Sequence, residues 1–227
     1  VWGRGRTDMG GEGAPWLGQA PFNPNPAAPN NAALHFADRL QRQSGQTVYL
    51  LGCPLNGSTL LSWAAPSAPN MQRLCGELGH ALRSAELFAE DKKFADVLLW
   101  HQGESDDAGA TMVKEPKLDS CEKYAMGFHQ MVAGLEAQPW WRKGTTALIA
   151  GEMVHDGWLA ARNDFYGNRA AWNGVARMAV APSPGLSHVG DRAHFDGPGL
   201  AGLGARMFEA WLSLQQAPAE MLHSPSG

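Results

Sequence analysis

Ala95-Asp96-Val97-Leu98-Leu99-Trp100 runs directly into His101-Gln102-Gly103-Glu104-Ser105-Asp106. From Val97 to Trp100 both alternating faces are apolar, which is the pattern of a strand covered on both sides of a parallel sheet. The second half gathers functional side chains around a single glycine. In open α/β sheets ligands bind beyond the carboxyl ends of the strands. This strand and the segment after it therefore decide both the fold class and where chemistry is to be sought.

The alternation continues outward from that point. Upstream, residues 48–53 form a short apolar strand, and Leu34, Ala37 and Leu40 mark a helix before it. Between the two strands, Met71, Leu74, Leu78, Leu82 and Ala85 fall on one helical face. Downstream, Asp119 and Glu122 have capping-box spacing and open a helix that buries Tyr124, Phe128, Met131 and Leu135. Residues 146–150 predict a third strand and residues 175–180 a weaker fourth. Leu200, Leu203, Met207, Trp211 and Leu214 predict a closing helix. Residues 1–30, dense in Gly, Pro and Asn around Trp2 and Trp16, read as an irregular entry loop. Apolar strands separated by amphipathic helices predict one domain over residues 1–227, of class α/β, with three α/β/α layers around a mainly parallel sheet.

A chain of 227 residues is long enough to close such a domain on both faces. With 44% hydrophobic and 18% charged residues, and Gly and Pro frequent but without period, the composition is globular with long loops. A net charge of −4, scattered along the chain, supplies no basic stripe for nucleic acid or an acidic membrane. A neutral partner such as a glycan suits that balance. No apolar run reaches membrane length, and no segment reads as a signal peptide. Cys53, Cys75 and Cys121 match neither a zinc pattern nor a disulfide framework and read as buried or half-buried free thiols. One pair could close in an oxidising compartment, so cysteine usage leaves location open.

Three polar segments carry chemistry. The first, Asn56-Gly57-Ser58-Thr59, comes after the first strand. A glycine turn there exposes backbone N–H groups to an anionic oxygen, or is an ordinary turn whose Ser or Thr caps the next element. In the second, Gly103 permits a sharp turn and Gln102 offers a neutral amide donor. Glu104 reads as a catalytic carboxylate or as a partner for a nearby backbone or Arg group, and His101 as a structural histidine. The third is Asp191-Arg192-Ala193-His194-Phe195-Asp196. Its three-residue spacing lets a carboxylate hold imidazole Nδ1 and leave Nε2 exposed, the arrangement of an oriented general base; the bland alternative is a solvent-exposed pair with Asp196 capping the helix. His155 and His188 read as structural or pocket-edge residues. The eight histidines are too dispersed to specify a metal site.

Taken in order, these segments resemble the carbohydrate-esterase branch of the SGNH hydrolases, the sialate O-acetylesterase-like or acetylxylan-esterase-like group. Trp100 to Asp106 is similar to that group's Trp-x-Gln-Gly-Glu-Ser-Asp segment. Asp191, His194 and Phe195, followed by Gly199 and Leu203-Gly204, resemble its Asp-x-x-His-Phe segment. Asn56-Gly57-Ser58 with Trp63 resembles its Gly-Gly-Thr-Ser…Trp segment, with Asn56 in place of the first glycine. The resemblance runs from about Asn31 to Trp211. It implies a flavodoxin-like (SGNH) sheet and a serine esterase that removes O-acetyl groups from a carbohydrate without metal or organic cofactor. His194 would be the base and Asp191 its orienting acid, with Glu104 ambiguous as an alternative acid partner. Gly57 N–H and the Gln102 amide would be oxyanion donors, each typically worth ~3 kcal/mol; Asn56, Ser58 and Gly103 would line the same place. The resemblance also leans towards a secreted or periplasmic setting.

The Gly-Gln-Ser-Asn segment that supplies the nucleophile in this group does not occur in the sequence. The first strand and its serine are therefore expected upstream of Val1, the domain reading as amino-terminally truncated. Ser58 is the strongest internal substitute, but it lacks the Gly-x-Ser-x-Gly setting of a nucleophile elbow; Ser105, beside Asp106, is weaker still. The competing reading is a non-catalytic carbohydrate-binding pseudoenzyme on the same fold. A lipase or thioesterase on this scaffold is a third.

Overall fold

The computed structural model describes residues 16–19, 31–55, 57–82, 93–106, 120–156 and 160–216. Its strands are β1 (Trp16–Gln19), β2 (Tyr49–Gly52), β3 (Val97–Trp100), β4 (Ala147–Gly151) and β5 (Met178–Ala181). Its helices are α1 (Ala32–Ser44), α2 (Pro69–Leu82), α3 (Cys121–Glu136), α4 (Ala160–Gly167) and α5 (Gly197–Gln216). Strands β3, β4 and β5 form a parallel sheet in that order, with Trp100 beside Ala150 and Ala150 beside Val180. A separate pair joins β1 to β2 antiparallel, Trp16 opposite Gly52.

Alternation along the parallel strands sends successive side chains into two cores. Leu148 and Ala150, with Leu98, Trp100 and Met178, join the core under α2 and α3, which holds Met71, Tyr124, Phe128 and Met131. Ala147 and Ile149, with Val97, Leu99 and Ala181, join the core under α1 and α5, which holds Phe36, Leu203, Met207 and Phe208. The described residues thus form an α/β/α sandwich whose middle layer is a parallel sheet of three strands.

Several local expectations need correction. Residues 1–30 are not irregular throughout, because Trp16–Gln19 is a strand on β2. The cap of α3 is Ser120, whose side chain accepts the Lys123 N–H at 3.1 Å; Asp119 lies outside the described residues, as does Ala85. The expected strand over residues 48–53 forms β2 and pairs antiparallel with β1 rather than joining the parallel sheet. The strand expected over residues 175–180 starts at Met178, because Gly174 and Arg177 take positive φ and break the extended run. Helix α4 is short and lacks a long apolar period, and the sequence did not announce it. Cys53, Cys75 and Cys121 are free thiols of intermediate exposure.

Candidate active site

The loop before α5 is a compact hairpin-like turn. His188 bridges to Phe195, Val189 N–H donates to His194 C=O at 3.0 Å, and Asp196 closes the turn by accepting from Ser187 Oγ and the Gly199 N–H at 2.6 and 2.8 Å. The last of these bonds is a helix cap, so Asp196 starts α5. His188 Nδ1 accepts the Gly190 N–H at 3.0 Å, a structural role. Arg192 adopts φ +61°, and its guanidinium donates from Nε and Nη2 to the Asp156 carbonyl at 3.0 and 2.6 Å. That fork ties the turn to the segment after β4.

Inside the turn, Asp191 Oδ2 lies 2.6 Å from His194 Nδ1, while Oδ1 accepts the backbone N–H of Ala193 and of His194, both at 2.9 Å. Partial burial alone would raise the Asp191 pKa. The hydrogen bonds from the His194 backbone and ring and from Ala193 outweigh it and bring the carboxyl down to about 2. Asp191 is therefore ionised at neutral pH and holds the imidazole by Nδ1. The His194 side chain remains 55% exposed, open to a reactant.

The second segment leaves the end of β3. His101 Nδ1 lies 3.2 Å from the Gly151 carbonyl at the end of β4, and its Nε2 lies 3.1 Å from Glu104 Oε1. Burial opposes both charges, yet the mutual attraction prevails, raising the His101 pKa and lowering that of Glu104, with His194 adding to the latter. Of the two candidate carboxylates, then, Asp191 contacts His194 and Glu104 contacts His101. The turn between them uses Gly103, at φ +153°, whose carbonyl accepts the Asp106 N–H at 3.1 Å.

Gln102 is buried, and its amide does not face an open oxyanion site. Nε2 donates to Ser58 C=O at 2.9 Å and to Asp106 Oδ2 at 2.7 Å, which uses both of its hydrogens. Tyr124 Oη lies 3.0 Å from Gln102 Oε1, and Tyr166 Oη donates to Gln102 C=O at 3.0 Å. Burial pushes both phenol pKa values up, so these hydroxyls stay donors. Fully buried Asp106 also accepts the Leu60 N–H at 2.8 Å. Through these bonds the β3 segment grips the turn after β2. Gly57 in that turn takes φ +70°, which favours glycine. Ser58 Oγ donates to Leu55 C=O at 3.0 Å and accepts Trp63 Nε1–H at 3.1 Å, so its hydroxyl serves the turn. Asn56 lies outside the described residues.

The carboxyl ends of β2 and β3 and the turn before α5 thus carry the three sequence segments. The sequence of residues 26–213 matches the family model of carbohydrate esterases described as sialic acid-specific acetylesterase. The chain belongs to this family. No protein of curated function matches it. Among solved structures it is similar to the X-ray structure of a protein from Arabidopsis thaliana, with TM-score 0.52 and 17% identity over 80% of this chain and 66% of that one. At that identity the likeness shows the fold alone, and the chain spans 66% of the plant protein's length.

Within this esterase family frame, sequence reasoning left Asp106, Tyr166 and Arg192 without roles. Asp106 stood in the segment after β3, but nothing local marks a carboxylate as buried. Tyr166 sits on the unannounced α4, and Arg192 acts through a backbone carbonyl that no residue pattern encodes. Among the described residues there is no cluster of three or more His, Cys, Asp or Glu suited to a metal ion, and no helix is long and apolar enough to cross a membrane.

Proposed function

We propose that this domain supplies the base and oxyanion side of a serine O-acetylesterase acting on a carbohydrate ester. The observation that carries the reading is the Asp191–His194 contact of 2.6 Å, with the imidazole exposed. His194 Nε2 takes the proton of a serine hydroxyl as that oxygen attacks the acetyl carbonyl, then returns it to the departing sugar alkoxide. Asp191 fixes the tautomer and stabilises the imidazolium. Gly57 N–H donates to the tetrahedral oxyanion. Gln102 acts first by clamping the Ser58 carbonyl, and direct donation from its amide would require giving up one of its two bonds. Glu104 supports the site from its pairing with His101 and is not the orienting acid.

By resemblance the serine would stand in a Gly-Gln-Ser-Asn segment at the end of a strand of this sheet. Two features fit a serine and strand outside the described residues. Among the described residues no serine hydroxyl is hydrogen-bonded to His194. Strand β3 is apolar on both faces, as an interior strand is, yet among the described residues it pairs along one edge only, with β4. The substrate sugar and acyl group belong to the family reading: an O-acetylated glycan, neutral or acidic.

The test is ester hydrolysis by the chain extended upstream to include that strand, against its His194→Ala variant. Turnover should fall by roughly 10³-fold or more. Equal turnover would remove His194 from the mechanism, and glycan binding without turnover in both proteins would favour the pseudoenzyme.

A further inference from the structure

His101 offers an argument from donor and acceptor counting alone. Its two ring nitrogens face two oxygens that can only accept: the Gly151 carbonyl at 3.2 Å and the Glu104 carboxylate at 3.1 Å. A neutral imidazole carries one N–H and would leave a lone pair against one of these oxygens. Only the imidazolium satisfies both. On one side the ring lies against Phe195, centroids 5.8 Å apart and planes tilted by 44°. Phe195 is itself buried and adjoins the base His194. At Gly151 the packing is equally close: a Cβ there would lie 3.3 Å from His101 Nδ1 and 2.7 Å from Met207 Cε.

We propose that His101 is a positioning residue held as an imidazolium, which pins the Glu104 carboxylate and braces the His194 turn against the ends of β3 and β4. The charged groups around it come from two elements. Glu104 faces it from the turn after β3, and His194 acts on that carboxylate from the loop before α5, where Asp191 in turn pairs with His194. Strand β4 contributes the Gly151 carbonyl, and Glu152 beyond it is turned to the Ser183 N–H at 2.8 Å. Helix α5 contributes apolar Leu203 and Met207 beside Gly151. On Glu104 the effect of His101 is the larger and that of His194 the smaller. The proton on His101 therefore departs only above the ordinary histidine pKa of ~6.5. When it does, one of the two anchoring bonds is lost. The role rests on the esterase reading for its purpose, but the ring state does not.

The experiment is nitrogen-15 NMR of the imidazole rings across pH, on the chain as it stands. His101 should carry protons on both nitrogens at pH 7 and lose one only at higher pH. In the isosteric Glu104→Gln variant the loss should move to lower pH, by a unit or more. A single-tautomer, neutral His101 at pH 7 in the unaltered chain overturns the proposal, as does a titration that Glu104→Gln leaves unmoved; the first result decides even if the variant fails to fold. For the bracing, His101→Phe keeps the ring on Phe195 and deletes both donors. Amide exchange at Val189, whose N–H is bonded to His194 C=O, should then quicken by about tenfold or more. Unchanged exchange there overturns the positioning role. None of these readings requires turnover, so their failure leaves the esterase proposal standing, and an inactive extended chain leaves the His101 result standing.

Discussion

At the scale of single residues, the site is a set of carboxylates that differ by what surrounds them. Asp191 is an exposed acid gripped by two backbone N–H groups and an imidazole. Glu104 is a part-buried acid neutralised by one histidine, and Asp106 a buried acid serving a backbone turn and an amide. Asp191 sets a pH limit whose sign is fixed. Its folded pKa, about 2, lies below its ordinary value, so the stabilisation is complete above ~4 and is lost as pH falls towards 2. Carbon-13 NMR of the Asp191 carboxyl should give a midpoint near 2. In His194→Ala the midpoint should rise, because the ring bond and charge are gone. A midpoint of ~4 in the unaltered chain would mean the turn does not hold its hydrogen bonds in solution.

At the scale of elements, the Asp191–His194 turn depends on where α5 begins and on how closely it lies against α1. Gly204 sets that approach. A Cβ at this position would come within 2.3 Å of the Ala32 carbonyl and 2.7 Å of His35 Cβ. Alanine is intrinsically the better helix former by ~1 kcal/mol. The clash is with backbone, however, and α1 must move to relieve it, costing typically about 1–3 kcal/mol. Gly204→Ala should therefore lower the urea midpoint with little change in slope, a net loss of up to roughly 2 kcal/mol. A midpoint at or above that of the unaltered chain would show that α1 yields freely. The sequence carried most of this level: the α1, α2, α3 and α5 faces follow from apolar spacing. It did not carry α4, nor the β1 pairing with β2, because a four-residue strand gains its definition from its partner and not from its own pattern.

At the scale of the whole molecule, protection should be uneven across the parallel sheet. Strand β4 is flanked by β3 and β5 and is buried at every position, whereas Val97, Leu98 and Leu99 of β3 are only half-buried. Amides of β3 that do not point at β4 should exchange at least about tenfold faster than those of Ala147–Gly151. Equal protection of β3 and β4 would show that the β3 edge is covered.

The sequence by itself determined the class of fold and the identity of the site's segments. Apolar runs of strand length, amphipathic helices between them, and polar glycine-bearing turns after the strands leave few other architectures. It also determined that Asp191 and His194 can meet, because three residues span one turn. Which partner each side chain takes was decided only by the tertiary structure. Glu104 pairs with His101 because β3 and β4 end side by side and the Gly151 carbonyl fixes the ring. The Gln102 amide grips the Ser58 carbonyl because the turn after β2 is brought beside it across 44 residues of chain. Hydrogen-bond partners distant in sequence are set by the register of strands and the packing of helices, and no local pattern contains that register.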